Sequence, residues 1–543
     1  MSRFNTTLAR PVGVSPIQTT GRRSTNALGA KGFERDKRSE LFLLAVSNFV
    51  AQSTFHESAP DRDDRYHKLI RELAVSDGEW LAEMLVWLRG PEANMRSASL
   101  VGAAEYVHAR LAAGIHGGNR HVISGVCQRA DEPGEMLAYW TSRYGRSLPQ
   151  PVKRGIADAA VRLYNQRSML KYDTGSHGFR FADVLELTHP SARTAEQSWL
   201  FEHAIDRRHN RDNSVPRSLM MIRANASLRA MGPKQAEAYL IGTNGVTASA
   251  GDVLKAAGMT WEDMPSLLPG AWTAKKWEAI IPAMGTMALI RNLRNFDEAG
   301  VSDEVAAQVV SRFADPEEVR KSRMFPFRYY SAFKATGSLR WAHGLEQAVK
   351  HSLANVPELS GHTLILIDQS PSMFPTYYGY NYGSTVKSDI SFAEKAALFG
   401  SALALRAENA DLYGYGFKSY PVGFRKGDSV LKTMQKFRQD DGTDTLGALQ
   451  QRYAGHDRVI IVTDEQTANI NAHHRSWYNL PDLRPVASMV PAHVPVYTWN
   501  IAGYKVAHGT GPNWHTFGGM TDAAFKLIPL LERGGRGNWP WQS

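Results

Sequence analysis

Asp368, Ser370 and Ser372 stand two residues apart at the end of the stretch LILIDQSPSM. One carboxylate and two hydroxyls at alternating positions offer oxygen ligands only. Farther along, the loop DDGTDT holds Thr443, and Asp464 directly follows RVIIVT. An oxygen-only set suits a hard divalent cation, Mg²⁺ in particular, which prefers near-octahedral coordination and keeps several waters. Neutral hydroxyls leave such an ion under-neutralised and ready to take an acidic group from a partner. The alternative role is local, because Asp and Ser often cap helices that follow strands. Enzymatic readings find less support. A phosphoaspartate hydrolase needs a second acid two residues after the first, where this chain has Ser370. The motifs G-x-S-x-G, H-E-x-x-H and G-x-x-x-x-G-K-[ST] do not occur, and the expectation is a protein that is not an enzyme. The 18 histidines are scattered, with His473-His474 the one adjacent pair, and they read as surface or loop residues.

The elements that must carry these oxygens follow from periodicity. After about Val356, HTLILID, DLYGYGF, RVIIVTD and VPVYTWNIAG are short apolar runs rich in Val, Ile and Tyr. Between them lie helical patterns: DISFAEKAALFGSALALRAE, DSVLKTMQKFR, TLGALQQRYAG and DAAFKLIPLLER. Strand alternating with helix predicts a doubly wound, mostly parallel α/β sheet of Rossmann-like type, whose ligands sit at the carboxyl ends of strands. From about 38 to 350 the period is helical instead, as in RSELFLLAVSNFVAQ, GEWLAEMLVWLRG, SLVGAAEYVHARLAAG and EVAAQVVSRFA. Ser302 and Asp315 precede two such runs as start signals. Many helices joined by short turns predict an α-solenoid of irregular, HEAT-like repeats, with an irregular bundle as the alternative.

The chain has 543 residues and a net charge of +10. Residues 1–357 hold 46 Lys and Arg against 37 Asp and Glu, whereas residues 358–543 hold 17 against 16. The positive excess therefore lies in the helical part and favours an anionic partner, nucleic acid being the commonest. One group is Lys153, Arg154, Arg162, Arg167 and Lys171; another is Arg207, Arg208, Arg211, Arg217 and Arg223; a third is Arg320, Lys321, Arg323 and Arg328. Phe325, Phe327, Tyr329 and Tyr330 lie among the third group, either as stacking faces for single-stranded RNA or as core. The single cysteine, Cys127, excludes an intrachain disulfide and reads as a packing residue in a reducing, cytoplasmic setting. No apolar run approaches the length of a membrane span, and the basic, polar N-terminus has no signal-peptide core. Residues 1–30 read as a flexible basic arm. Tyr377 to Ser384, YYGYNYGS, reads as a mobile insertion or a binding rim, and Trp539 and Trp541 either dock on the body or belong to an RGG-like RNA-binding tail.

The order D-x-S-x-S, then Thr, then Asp on alternating strands resembles the metal-ion-dependent adhesion site of von Willebrand factor A domains. Pro371 and Asp441 depart from the usual pattern without removing a ligand. A long helical region before such a domain, with GRSLPQPVKRGIADAAVRLYN, FRFADVLELTHP, TMALIRNLRNF, RMFPFRYYSAF and IDQSPSM, is similar to the TROVE, or Ro ribonucleoprotein, family. The resemblance implies a multidomain chain: a TROVE helical-repeat RNA-binding domain over 31–357 closing as a ring, and a von Willebrand A-like domain over 358–543. It implies small non-coding Y-like RNA on the outer basic surface and single-stranded ends of misfolded RNA in the central hole. It further implies a cytoplasmic monomer working with an exoribonuclease such as polynucleotide phosphorylase in RNA quality control. By motif, Lys171 and His189 match positions that contact RNA, and Arg291 and Asn292 match the family with helix buttressing as their alternative. Two other readings stay open: a metal-dependent protein-binding adaptor whose helices are structural, and an ATPase-associated adaptor.

Overall fold

Trp80, Leu81, Met84, Leu85 and Leu88 recur with the helical period, and helix Gly78–Arg89 buries all five. The neighbouring helix Arg96–Ala112 packs against that face. In this computed structural model the pattern repeats from Lys37 to Asn355 as helices joined by short turns, each packing mainly on its near neighbours in the chain. The structure describes residues 16, 18–25, 31–47, 59–91, 93–175, 178–209, 214–242, 250–322, 324, 326–374, 390–464, 480–483, 489–501, 514–518, 528, 532 and 539–542. Ser302 caps helix Asp303–Ala314, and Asp315 Oδ1 accepts the Glu318 amide (2.8 Å) at the next helix start. This is a helical solenoid, followed by an α/β domain built on a mostly parallel sheet.

Strands β1 (Thr19–Thr25) and β2 (Lys31–Arg35) form an antiparallel hairpin before the first helix. Residues 19–25, within the stretch 1–30 expected as a flexible arm, form strand β1. Main-chain pairing and the Gln18 amide bond to Ser39 Oγ (2.7 Å) hold this stretch. Its polar TTGRRST lacks the apolar alternation that announces a strand.

The second sheet has β3 (Leu359–Asp368), β4 (Ala407–Tyr415), β5 (Ser419–Pro421), β6 (Arg458–Thr463), β7 (Val496–Asn500) and β8 (Trp514–Gly518). Their order is β5-β4-β3-β6-β7-β8, all parallel except the short edge strand β5. Leu364 and Leu366 face one core, Ile365 and Ile367 the other, so the apolar run LILI is explained by burial on both faces. Helix Phe392–Arg406 lies on β3 so closely that a Cβ at Gly400 would overlap Ile367 Cδ1. The chain leaves β3 for β4 on one side and returns to β6 on the other. The crevice at their carboxyl ends is the topological switch point.

Both ends of the solenoid meet this domain. Helices Pro326–Thr336 and Leu339–Ser352 pack on Phe392–Arg406 and Val430–Met434, while helix Lys37–Ser47 packs on β8. Among the described residues no helix is long and apolar enough to cross a membrane. The expected helix over 522–533 lies outside the described residues except for Ile528 and Glu532.

Candidate metal centre and basic surface

Asp368 ends β3 and is fully buried. Its Oδ1 accepts the Ser370 amide (2.9 Å) and its Oδ2 accepts the Thr463 hydroxyl (2.7 Å) from the end of β6. Parallel register places Ile367 beside Val462, which brings Thr463 and Asp464 to the same crevice. Ser370 is buried, and its hydroxyl lies 3.2 Å from that of Ser372. Ser370 opens the short 3-10 helix Pro371–Met373 without capping it through its side chain, so the capping alternative does not use this hydroxyl. Pro371 fits as the first residue of that turn.

The loop carrying Thr443 is pinned to the same edge. The Asp440 amide donates to Gln369 O (3.0 Å), the Asp444 amide to Gly416 O (2.9 Å), and the Phe417 amide to Asp441 O (2.6 Å). Gly442 takes φ +62 against the Phe417 ring, a close approach that a side chain would block. Thr443 and Asp464 are buried, whereas Asp441 is exposed. Asp444 caps helix Thr445–Arg452, accepting the Gly447 amide at 2.9 Å. Thr463, and Thr445 with its bond to the Tyr415 hydroxyl (3.1 Å), belong to this polar edge and were not singled out by motif. The adjacency of Thr463 to Asp464 in RVIIVTD was the available signal.

Burial pushes the Asp368 carboxyl up to about 7 from its ordinary 3.8, and the charge of Asp464 pushes it further the same way. No Lys or Arg pairs with Asp368 among the described residues. Without a counter-ion, burial and the neighbouring Asp464 charge therefore disfavour the ionised form of Asp368. Two repelling buried acids beside neutral hydroxyls fit a divalent cation held by oxygens.

A different cluster lies at the opposite, amino-terminal edge of the sheet. His362, Asp411 and His456 place one ligand atom each within 4.8 Å of one another. These residues are 45 or more positions from one another or on separate strands, so no sequence motif announced them.

The basic residues sort by partner. Arg154, Arg167, Lys171 and His189 are exposed and Lys153 is half-buried; none of the five has an acidic partner among the described residues. They sit on or beside helices Gln150–Leu163, Gln166–Tyr172 and Phe181–Thr188. Lys171 lies over the Tyr172 ring at 5.3 Å, and His189 ends its helix in the left-handed region at φ 49. Arg207 instead pairs with Asp173 (3.6 Å) and Arg208 with Asp183 (3.0 Å). Arg320 pairs with Glu317 (2.6 Å) and Lys321 with Glu318 (3.3 Å), each one turn back along an exposed helix. Arg162 is exposed but engaged, its guanidinium donating to Ser124 O (2.7 Å) and Cys127 O (2.6 Å).

For Tyr329 and Tyr330 the open choice between stacking faces and core resolves toward core, while Phe327 is half-buried. Tyr329 and Tyr330 are buried, and the Tyr330 hydroxyl donates to Glu394 Oε1 (3.1 Å) across to the α/β domain. Arg211, Arg323, Phe325, the 377–384 loop and His473-His474 lie outside the described residues. Asn292 is buried and donates to Ala288 O (2.8 Å), the buttressing role, while Arg291 is exposed. Burial pushes the Cys127 thiol far up, in keeping with a packing residue. Trp539 docks: it packs on Phe42 and Trp80, and Trp541 lies beside it.

With this geometry in place, comparison with known proteins is informative. The TROVE domain family matches residues 191–353. The crystal structure of the Deinococcus radiodurans RO (RSR) protein is similar over 92% of this chain and 100% of that one, with a TM-score of 0.59 at 17% identity. At that identity the likeness is one of fold, a helical solenoid with an α/β domain. Among curated proteins none matches the chain.

Proposed function

We propose that this protein is a non-enzymatic RNA-binding scaffold of the Ro ribonucleoprotein kind. The reading takes residues 31–357 as the RNA-binding unit and 358–543 as a von Willebrand A-like unit. Structured small RNA of Y-like type lies on the outer basic surface, and single-stranded ends of misfolded RNA enter a ring closed by the α/β domain. The bound RNA is passed to an exoribonuclease, and the scaffold acts as a cytoplasmic monomer. What carries the reading is the TROVE match over 191–353, within a helical region that holds nearly all the positive excess. Lys153, Arg154, Arg167 and Lys171, which have no acidic partner among the described residues, support it, since each can meet a phosphate without leaving a protein carboxylate there. The oxygen cluster Asp368, Ser370, Ser372, Thr443 and Asp464 would hold Mg²⁺, which supplies an open coordination position for an acidic group of a partner protein.

A gel-shift series from low to high salt with Y-like RNA tests the first part. Binding that weakens steeply with salt is expected. No binding at low salt would sink it. The buried pair Asp368 and Asp464 favours a second reading, a metal-dependent protein adaptor with a structural solenoid. Asp368→Ala separates the two, because it abolishes partner capture in the adaptor and leaves RNA affinity nearly unchanged in the scaffold.

A further inference from the structure

His362 lies near the start of β3, Asp411 in the middle of the neighbouring β4, and His456 just before β6. His362 Nε2 is 3.0 Å and His456 Nε2 is 2.9 Å from the same oxygen, Asp411 Oδ2. The two imidazole centroids are 4.2 Å apart. The backbone around them is fixed: the His362 amide donates to Asp457 Oδ2 (2.7 Å), and the Asp457 amide donates to His362 O (2.8 Å). We propose that His362, Asp411 and His456 form a second cation site, one for a borderline divalent metal of which Zn²⁺ is the best fit.

The donor set decides the ion. Two imidazole nitrogens and one carboxylate oxygen suit Zn²⁺, whereas the oxygen-only cluster at the other end of the sheet suits Mg²⁺. Bonds of roughly 2.0–2.2 Å in a tetrahedron set ligand atoms about 3.4 Å apart, so three ligand atoms already within 4.8 Å of one another need shifts on the order of an ångström to seat an ion. His456 is buried, which fixes its ring between Asp411 and the Ala454 amide. The His362 and Asp411 side chains are 42% and 46% exposed, which gives the ion an approach and leaves a fourth position to water.

One contact must change. His456 Nδ1 accepts the Ala454 amide (3.2 Å), so without an ion the ring carries its proton on Nε2 and donates it to Asp411. Coordination through Nε2 moves the proton to Nδ1 and releases the Ala454 amide, one main-chain bond in a turn where Gly455 takes φ +80. The released amide is a reporter that ordinary surface binding of metal does not move.

The full-length protein, stripped with chelator and held in millimolar Mg²⁺, is titrated with Zn²⁺ alone against a zinc indicator. A bound Zn²⁺ is expected whose affinity falls by more than roughly tenfold in His362→Ala and in Asp411→Asn, both at partly exposed positions. Hydrogen exchange at the Ala454 amide should speed up on loading in the wild type only. Equal Zn²⁺ affinity in wild type and both variants overturns the site. So does a silent Ala454 amide, which would leave the cluster a hydrogen-bonded carboxylate between two imidazoles. RNA binding plays no part in this test, so its outcome is separate from that of the scaffold reading.

Discussion

At the residue scale, the chemistry turns on which charges have partners. Asp368 is a buried acid facing another acid. In chelator the folded chain keeps the Asp368 proton at pH values where the unfolded chain, titrating near 3.8, has lost it. The folded state then binds more protons between about pH 4 and pH 7, so stability from this group falls as pH rises through that window. Mg²⁺ takes the place of the proton and reverses the trend. Melting curves at pH 5.5 and 8, with and without Mg²⁺, should therefore show the larger Mg²⁺ gain at pH 8. Asp368→Asn should melt higher than wild type in chelator at pH 8 and gain nothing from Mg²⁺; an equal gain in the variant would count against the site. For RNA, the same question of partners separates residues that composition alone lumped together. Removing Arg154, Arg167 and Lys171 together should flatten the dependence of log affinity on log salt by about 2, at roughly 0.7–0.9 per phosphate contact. Removing Arg320 and Lys321 should change it less, because each already shares its charge with a glutamate. Equal slopes for the two variants, measured by filter binding, would contradict this sorting. The sequence showed Asp368, Ser370, Ser372, Thr443 and Asp464 as a constellation because each follows a strand or lies in a glycine-containing loop. It hid Thr463 inside an apolar run, and it hid the ion pairs because a cation's partner can lie 25 residues or more away, as Asp183 does from Arg208.

At the element scale, the long periodic segments were readable and the short ones were not. LILID, RVIIVT and the helix after Ser391 announce themselves because both faces are buried or the apolar stripe is broad. β5 has three residues ending in Pro421, and β8 reads WHTFG, so neither carries an apolar alternation long enough to count. β1 is polar throughout, and its pairing is a main-chain matter. The metal edge depends on how helix Phe392–Arg406 seats β3. Gly400→Ala puts a methyl into Ile367, and overpacking of this kind costs about 1–3 kcal/mol. The variant should lose thermal stability and also bind Mg²⁺ more weakly, because the end of β3 carries Asp368. Normal Mg²⁺ affinity alongside lowered stability would show that the helix supports the sheet without positioning the site. Calorimetry on the one purified variant reads both quantities.

At the scale of the whole molecule, the chain returns to its own beginning. Trp539 stacks with Trp541 and meets Phe42 and Trp80, whose helices belong to the first turns of the solenoid. Trp541 also reaches Trp87 at 5.5 Å, and the guanidinium of Arg38 covers Trp80 at 5.4 Å. At the other end of the solenoid, Lys334 and Tyr330 hold Glu394 of the α/β domain. The two contacts together join both ends of the helical region to one domain. The aromatic contact is made by Trp539 and Trp541, which lie outside the strands, so it can open without unfolding the sheet. Aromatic truncations at buried sites cost about 3–5 kcal/mol. Trp539→Ala with Trp541→Ala should therefore expose helices Lys37–Ser47 and Gly78–Arg89 to hydrogen exchange while leaving β3 and β6 protected. The radius of gyration by small-angle scattering should grow. If the proposed ring holds single-stranded RNA ends, their affinity should fall in this variant while the Mg²⁺ effect on melting stays as in wild type. Unchanged exchange in both helices would show that the β8 contact with helix Lys37–Ser47 closes the molecule by itself, and the tryptophans would then be packing at the rim.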